Sequence, residues 1–146
     1  MKIYLDTSVY NRPFDDQTQP RIWLETLSLA LILQFVESGE AVLVNSSVLE
    51  FENSRNPFAL RQDWVNRCLR LSTEYKAVDD SIRKRAEQLE HLRIKALDAL
   101  HVSCAEAAQA SYFLTCDDRL ISKRKYLNVR PLNPVEFVQK IIGVQP

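Results

Sequence analysis

Glycine is almost missing from this 146-residue chain: only Gly39 and Gly143 occur. A loop that cradles phosphate needs several glycines whose backbone can approach the ligand, so P-loop and dinucleotide-binding chemistries are excluded. Cysteine is scarce and odd in number. Cys68, Cys104 and Cys116 have the spacing of neither a zinc site nor a redox pair. They read as reduced, mostly buried thiols of a cytoplasmic protein. Long apolar runs are also absent. The longest, Leu29 to Leu33, is far too short to span a membrane. The opening MKIYLD reaches an aspartate at once, so no signal peptide is expected there. Nor is there an excess of one charge: 19 basic residues balance 19 acidic ones, unlike a dedicated nucleic-acid coat.

What is present suits one soluble globular domain over residues 1–146, with 46% hydrophobic and 26% charged residues. The charge is uneven. Residues 1–60 carry four basic and eight acidic residues, whereas Arg119 to Arg130 holds five basic and no acidic ones. This distribution fits an acidic, metal-filled centre with basic grips beside it.

Lys2 to Asp6, Ala41 to Val44, Tyr112 to Thr115 and Val129 to Leu132 read as short buried strands. Thr7 to Gln19 reads as a polar loop. Pro20 opens a helix that stops at Gly39. Ser46 or Ser47 caps a short helix carrying Glu50 and Glu52. Asn56-Pro57 breaks it and starts another, to about Leu71. Asp79 or Asp80 caps a helix to about Arg93. Lys95 to Gln109 forms an alanine-rich helix, and Pro134 to Ile142 a last one. Apolar strands separated by helices predict an α/β fold: three layers, α/β/α, around a short parallel sheet.

In an open parallel sheet, ligands collect at the carboxyl ends of the strands. Asp6 ends the first strand and Asp117 follows the third. Glu50 and Glu52 lie just after the second, and Asp98 lies in the first turn of the alanine-rich helix, where the helix N-terminus favours its charge. Carboxylates crowded into one cleft raise one another's pKa values, and a hard divalent cation relieves that cost. Alone, an acid at such a place is more often a cap or turn residue than a ligand; the signal is the set. Glu50 and Glu52 point roughly 200° apart on a helix, so only one can face a common site.

The residues around these acids resemble the PIN-domain family over nearly the whole chain. Leu5-Asp6-Thr7-Ser8 resembles its first motif, Ser46 with Glu52 its second, Asp98-Ala99-Leu100-His101 its third and Thr115-Cys116-Asp117 its fourth. The resemblance implies Mg²⁺- or Mn²⁺-dependent cleavage of single-stranded RNA, leaving 5′-phosphate and 3′-hydroxyl ends. Asp6, Glu52, Asp98 and Asp117 would hold metal; Thr7, Ser8 and Thr115 would orient ligands and waters. It further implies either a toxin of a toxin–antitoxin pair, with an antitoxin protein as partner, or a stand-alone nuclease. A non-catalytic module of the same fold, binding RNA or protein, is the alternative. A haloacid-dehalogenase-type phosphatase is excluded because Ser8 stands where its second aspartate is needed.

Other residues carry open readings. Asp118 is either an extra outer carboxylate or, preferred, the cap of the helix after it. Arg12 pairs with a substrate phosphate or is a solvated loop residue. Lys123-Arg124-Lys125 holds the RNA backbone, with Lys123 and Arg124 as the candidate contacts, or is a solvated face. His101 reads better as a packed, hydrogen-bonded histidine than as a proton shuttle. The helix from Pro20 carries two apolar stripes, Trp23-Leu27-Ala30-Leu31 and Leu29-Ile32-Leu33-Val36; more than one sheet contact is needed to cover both, which predicts a homodimer.

Overall fold

A computed structural model describes residues 1–144. Five strands form one parallel sheet: β1 (Lys2–Leu5), β2 (Val42–Ser46), β3 (Glu74–Lys76), β4 (Tyr112–Leu114) and β5 (Arg130–Leu132). Their spatial order is β3-β2-β1-β4-β5. Chain order runs outward from β1 to β3, then restarts at β4 on the other side of β1. The order therefore reverses between β1 and β4, and a crevice opens at their carboxyl ends.

Helices flank the sheet. They are α1 (Thr7–Tyr10), α2 (Pro20–Glu37), α3 (Ser47–Ser54), α4 (Ala59–Leu69), α5 (Asp80–Glu90), α6 (Ala96–Ala107), α7 (Asp118–Ile121) and α8 (Pro134–Phe137), which runs on into a π-helical turn, Val138–Ile142. One group joins α2 to α8; another joins α5 and α3 to α6. No helix of the described residues is long and apolar enough to cross a membrane.

The centre of the sheet is dry. Ile3, Tyr4 and Leu5 of β1, Leu43 and Val44 of β2, and Phe113 and Leu114 of β4 are fully buried. Tyr4 pairs in register with Phe113, and their rings stack with centroids 5.4 Å apart. Full burial of each such side chain contributes about 1.5–3 kcal/mol.

The structure differs from the sequence expectation at several places. β3 was not anticipated. Its residues, Glu-Tyr-Lys, show no apolar run because it is an edge strand, half-exposed and tied by Lys2 to Glu74 at 3.0 Å. The stretch after Asp6 is not a plain loop: it forms α1 and a 3₁₀ turn, Arg12–Phe14. β2 extends to Ser46, which is also the N-cap of α3 and accepts from the Leu49 amide at 3.1 Å. Of the two candidate caps of α5, the structure selects Asp79, which accepts from the Ile82 amide at 2.9 Å.

On α2 the Leu29-Ile32-Leu33-Val36 stripe is buried within the chain, whereas Trp23 and Leu27 of the other stripe are 52% and 38% exposed. The three cysteines are unpaired. Burial pushes the Cys68 thiol up to about 12 and the Cys104 thiol to about 11, so neither is a nucleophile at neutral pH.

Candidate active site

Each acid arrives at the crevice by local rules. Asp6 follows the last residue of β1, and its carboxylate caps α1 by accepting from the Ser8 amide at 3.1 Å. The Ser8 hydroxyl also donates to Asp6 and in turn accepts from the Cys116 amide at 3.1 Å. This hydroxyl stitches the ends of the two central strands together. Burial raises the Asp6 pKa, against hydrogen bonds from Ser8 and Thr115. Thr115 is fully buried, and its hydroxyl accepts from the Asp117 amide at 3.1 Å.

Asp117, rather than the preferred Asp118, caps α7, accepting from the Arg119 amide at 2.9 Å. The side chain of Asp118 is 70% exposed and forms a two-pronged pair with Arg21, both contacts at 2.8 Å. It faces a different cavity from the one that Asp117 lines.

Asp98 sits in the first turn of α6. Its pKa is pushed up to about 6, first by burial, then by the charges of Asp6, Asp117 and Glu52, with His101 opposing. The helix N-terminus does not overcome burial and repulsion here, although Asp98 is still mostly ionised at pH 7.

Glu52 is held on both oxygens. Oε2 accepts from the Thr7 hydroxyl at 3.0 Å and Oε1 from Nε2 of His101 at 2.6 Å. Burial opposes its ionisation, but the hydrogen bond and charge of His101, with Thr7, outweigh it and lower the pKa. Glu50 is exposed and lines a separate cavity with Arg70. Of the two glutamates, only Glu52 lies beside Thr7.

His101 is buried, as the preferred reading expected. Its Nδ1 lies 2.6 Å from the Tyr4 hydroxyl, which lies 2.7 Å from the Ser46 hydroxyl. Because the Glu52 carboxylate can only accept, Nε2 carries a proton. In the neutral ring Nδ1 then accepts from Tyr4. Tyr4 was not singled out from the sequence. The signal was there: a tyrosine inside a buried strand needs a partner for its hydroxyl.

The cationic residues singled out from the sequence fall in three places. Arg12 does not hang free over the cleft. It donates to fully buried Glu25 at 2.9 Å and to Asp15 at 3.1 Å. Lys123 lines a cavity of about 80 Å³ with Asp98 and Asp117, joined by Arg93, Lys95 and Arg119. Arg124 lines another cavity, beside Ser111 and Asn128. Arg93 and Lys95 were missed, though they precede Asp98 by only a few residues. Arg93 adopts a left-handed backbone, φ +67°, uncommon for a non-glycine residue.

Among the described residues, no three histidine, cysteine, aspartate or glutamate side chains stand close enough as they lie to enclose a metal ion. The chemistry of the donor set still fits a hard divalent cation. It offers carboxylate oxygens whose charges already act on one another, with no thiolate among them.

Comparison with known proteins agrees with this architecture. A model of the PIN domain matches residues 3–126. Two solved structures share the fold. FitAcB from Neisseria gonorrhoeae is 19% identical, covers 90% of this chain and 97% of its own, and superposes with a TM-score of 0.56. VapBC2 from Rickettsia felis, bound to a DNA fragment from their promoter, is 17% identical, with coverage of 91% and 98% and a TM-score of 0.57. No curated protein matches the sequence. With residues 3–126 of its 146 matched, the chain belongs to the PIN domain family.

Proposed function

We propose that this protein is a divalent-metal-dependent endoribonuclease acting on single-stranded RNA. The observation that carries the reading is the environment of Asp98, which lines one cavity with Asp117 and with the cations Arg93, Lys95, Arg119 and Lys123. Its carboxyl is pushed to about 6 by burial and by three other carboxylates from separate elements. Such mutual repulsion is costly unless a cation neutralises it. Asp6, Glu52, Asp98 and Asp117 would hold Mg²⁺ or Mn²⁺, which when bound supplies an acidified water and offsets charge on the phosphate.

The chain's own groups do the rest. Thr7 and His101 hold both oxygens of Glu52. Ser8 and Thr115 orient Asp6. Lys123, with Arg93, Lys95 and Arg119, forms the basic wall that would take the RNA backbone. Arg12 is committed to Glu25, so a phosphate contact there would break a buried ion pair.

The exposed Trp23 and Leu27 of α2 support a homodimer, since large exposed apolar side chains tend to be covered. The fold shared with VapBC2 and FitAcB supports a toxin role with an antitoxin partner. The test is cleavage of an end-labelled single-stranded RNA with Mn²⁺, Mg²⁺ or EDTA. We expect metal-dependent internal cuts bearing 5′-phosphates, lost in Asp98→Asn. Cleavage undiminished by EDTA or by that substitution overturns the metal assignment; no cleavage with either metal overturns the nuclease reading.

A further inference from the structure

A second cavity, of about 250 Å³, shares Thr7 and Glu52 with the candidate active site; its wall includes Asn11, Asn56, Phe58 and Arg61. The turn between α3 and α4 builds it. The Asn56 side chain accepts from the Phe58 amide at 3.1 Å and donates to the Asn11 side chain at 3.4 Å, which fastens the turn to the segment after α1. Phe58 is thereby presented outward with 56% of its surface exposed. The Arg61 guanidinium lies over its ring, 4.7 Å from the centroid, and over that of Phe14 at 5.5 Å. Among the described residues Arg61 forms no ion pair with a carboxylate, in contrast to Arg12 and Arg21.

An exposed ring and a guanidinium without a carboxylate partner suit a flat, anion-linked ligand better than an aliphatic peptide face, while the two side-chain amides are spent on holding the turn. Aromatic rings and arginine planes are the surfaces on which single-stranded bases stack. Because Glu52 and Thr7 form one wall, whatever fills the cavity lies next to the candidate active site. We infer that this cavity is a nucleobase subsite, in which a base flanking the scissile phosphodiester stacks on Phe58 while Arg61 meets the adjoining phosphate. The inference rests on the proposed single-strand ribonuclease activity and adds the feature that would select the cleavage position. Phe58 and Arg61 are substrate-positioning residues in this scheme and take no part in bond breaking.

The test compares Phe58→Ala, Phe58→Trp and Arg61→Gln with the wild-type chain on a single-stranded RNA and on a set of the same RNA with one abasic nucleotide at each position near the cut. Circular dichroism checks folding. Phe58→Ala should raise KM about tenfold with kcat little changed, and Phe58→Trp should restore it. At one abasic position the wild-type chain should show the same penalty, and Phe58→Ala should add nothing further. RNA binding to Asp98→Asn chains, measured by fluorescence anisotropy, should repeat this pattern without cleavage. If the wild-type chain cleaves but neither Phe58→Ala nor any abasic position changes KM, the subsite is wrong and the nuclease reading stands. That result would also be expected if the patch were instead a seat for a protein partner. If the chain does not cleave yet RNA binding shows the Phe58 and abasic penalties, the subsite stands and the nuclease reading falls. A chain that neither cleaves nor binds RNA removes both.

Discussion

Nε2 of His101 lies 2.6 Å from Oε1 of Glu52, so a buried ring on α6 fixes the carboxylate that α3 brings to the crevice. Behind it, Tyr4 and Ser46 continue the chain of hydrogen bonds into the sheet. Such outer partners typically change metal affinity or activity by about 10- to 100-fold when removed. His101→Ala should therefore weaken Mn²⁺ binding, read by calorimetry, within that range. Tyr4→Phe should have a smaller effect on metal and cost on the order of 1–3 kcal/mol of stability, because the Ser46 and His101 groups lose a partner. Unchanged Mn²⁺ affinity in His101→Ala would show that the ring merely packs.

The two glutamates of α3 should separate cleanly. Glu52→Gln should lower kcat by orders of magnitude, whereas Glu50→Gln, on the far side of the helix, should be near wild type. The reverse ranking in a cleavage assay would place the wrong glutamate in the site.

Asp98 makes stability depend on pH. Its folded pKa, about 6, lies above the ordinary carboxylate value of 3.8, so the folded chain binds the extra proton between those limits. Metal-free stability should then fall as pH rises through that window and stay low above it. Asp98→Asn should reduce the fall, leaving the part that the raised carboxyl of Asp6 contributes, and stabilise the metal-free chain at pH 7 by roughly 1–2 kcal/mol, discounted because the side chain is only partly buried. Urea denaturation at pH 4.5 and 7.5 in EDTA measures it. A wild-type chain and variant with identical pH dependence would refute the coupling.

Arg12 should act on stability. Its removal leaves Glu25 buried with weaker compensation, from Arg21 at 3.3 Å and from Asn133. Arg12→Ala should cost about 3–5 kcal/mol. By contrast, Lys123→Ala and Arg119→Ala should leave the melting temperature nearly unchanged while weakening RNA binding and reducing its salt dependence. Equal melting temperatures for all three variants would reverse the assignment of Arg12.

Light scattering at micromolar concentration should give twice the 16.9 kDa chain mass. Trp23→Glu with Leu27→Glu, both on the exposed stripe of α2, should give the single chain mass. A wild-type monomer would remove the dimer without touching the nuclease reading.

The chain by itself determined most of the architecture. Apolar runs such as Ile3 to Leu5 and Tyr112 to Leu114 are strands whose burial writes their pattern. Caps and breakers at Pro20, Gly39, Ser46 and Asn56-Pro57 are local chemistry and survive in any context. The positions of the acids were legible too, because Asp6 follows its strand directly, Asp117 comes three residues after the next, and Asp98 lies in the first turn of a helix. What needed tertiary structure was everything set by partners distant in sequence. Strand β3 exists only because β2 offers it a ladder; its own residues are polar. Arg12 became a structural ion pair because Glu25 is buried 13 residues away. Tyr4 and His101, 97 residues apart, meet only when β1 and α6 pack. Local propensity and periodicity report on a segment and its solvent, whereas hydrogen-bond and ion-pair partners are chosen by packing, which no single segment encodes.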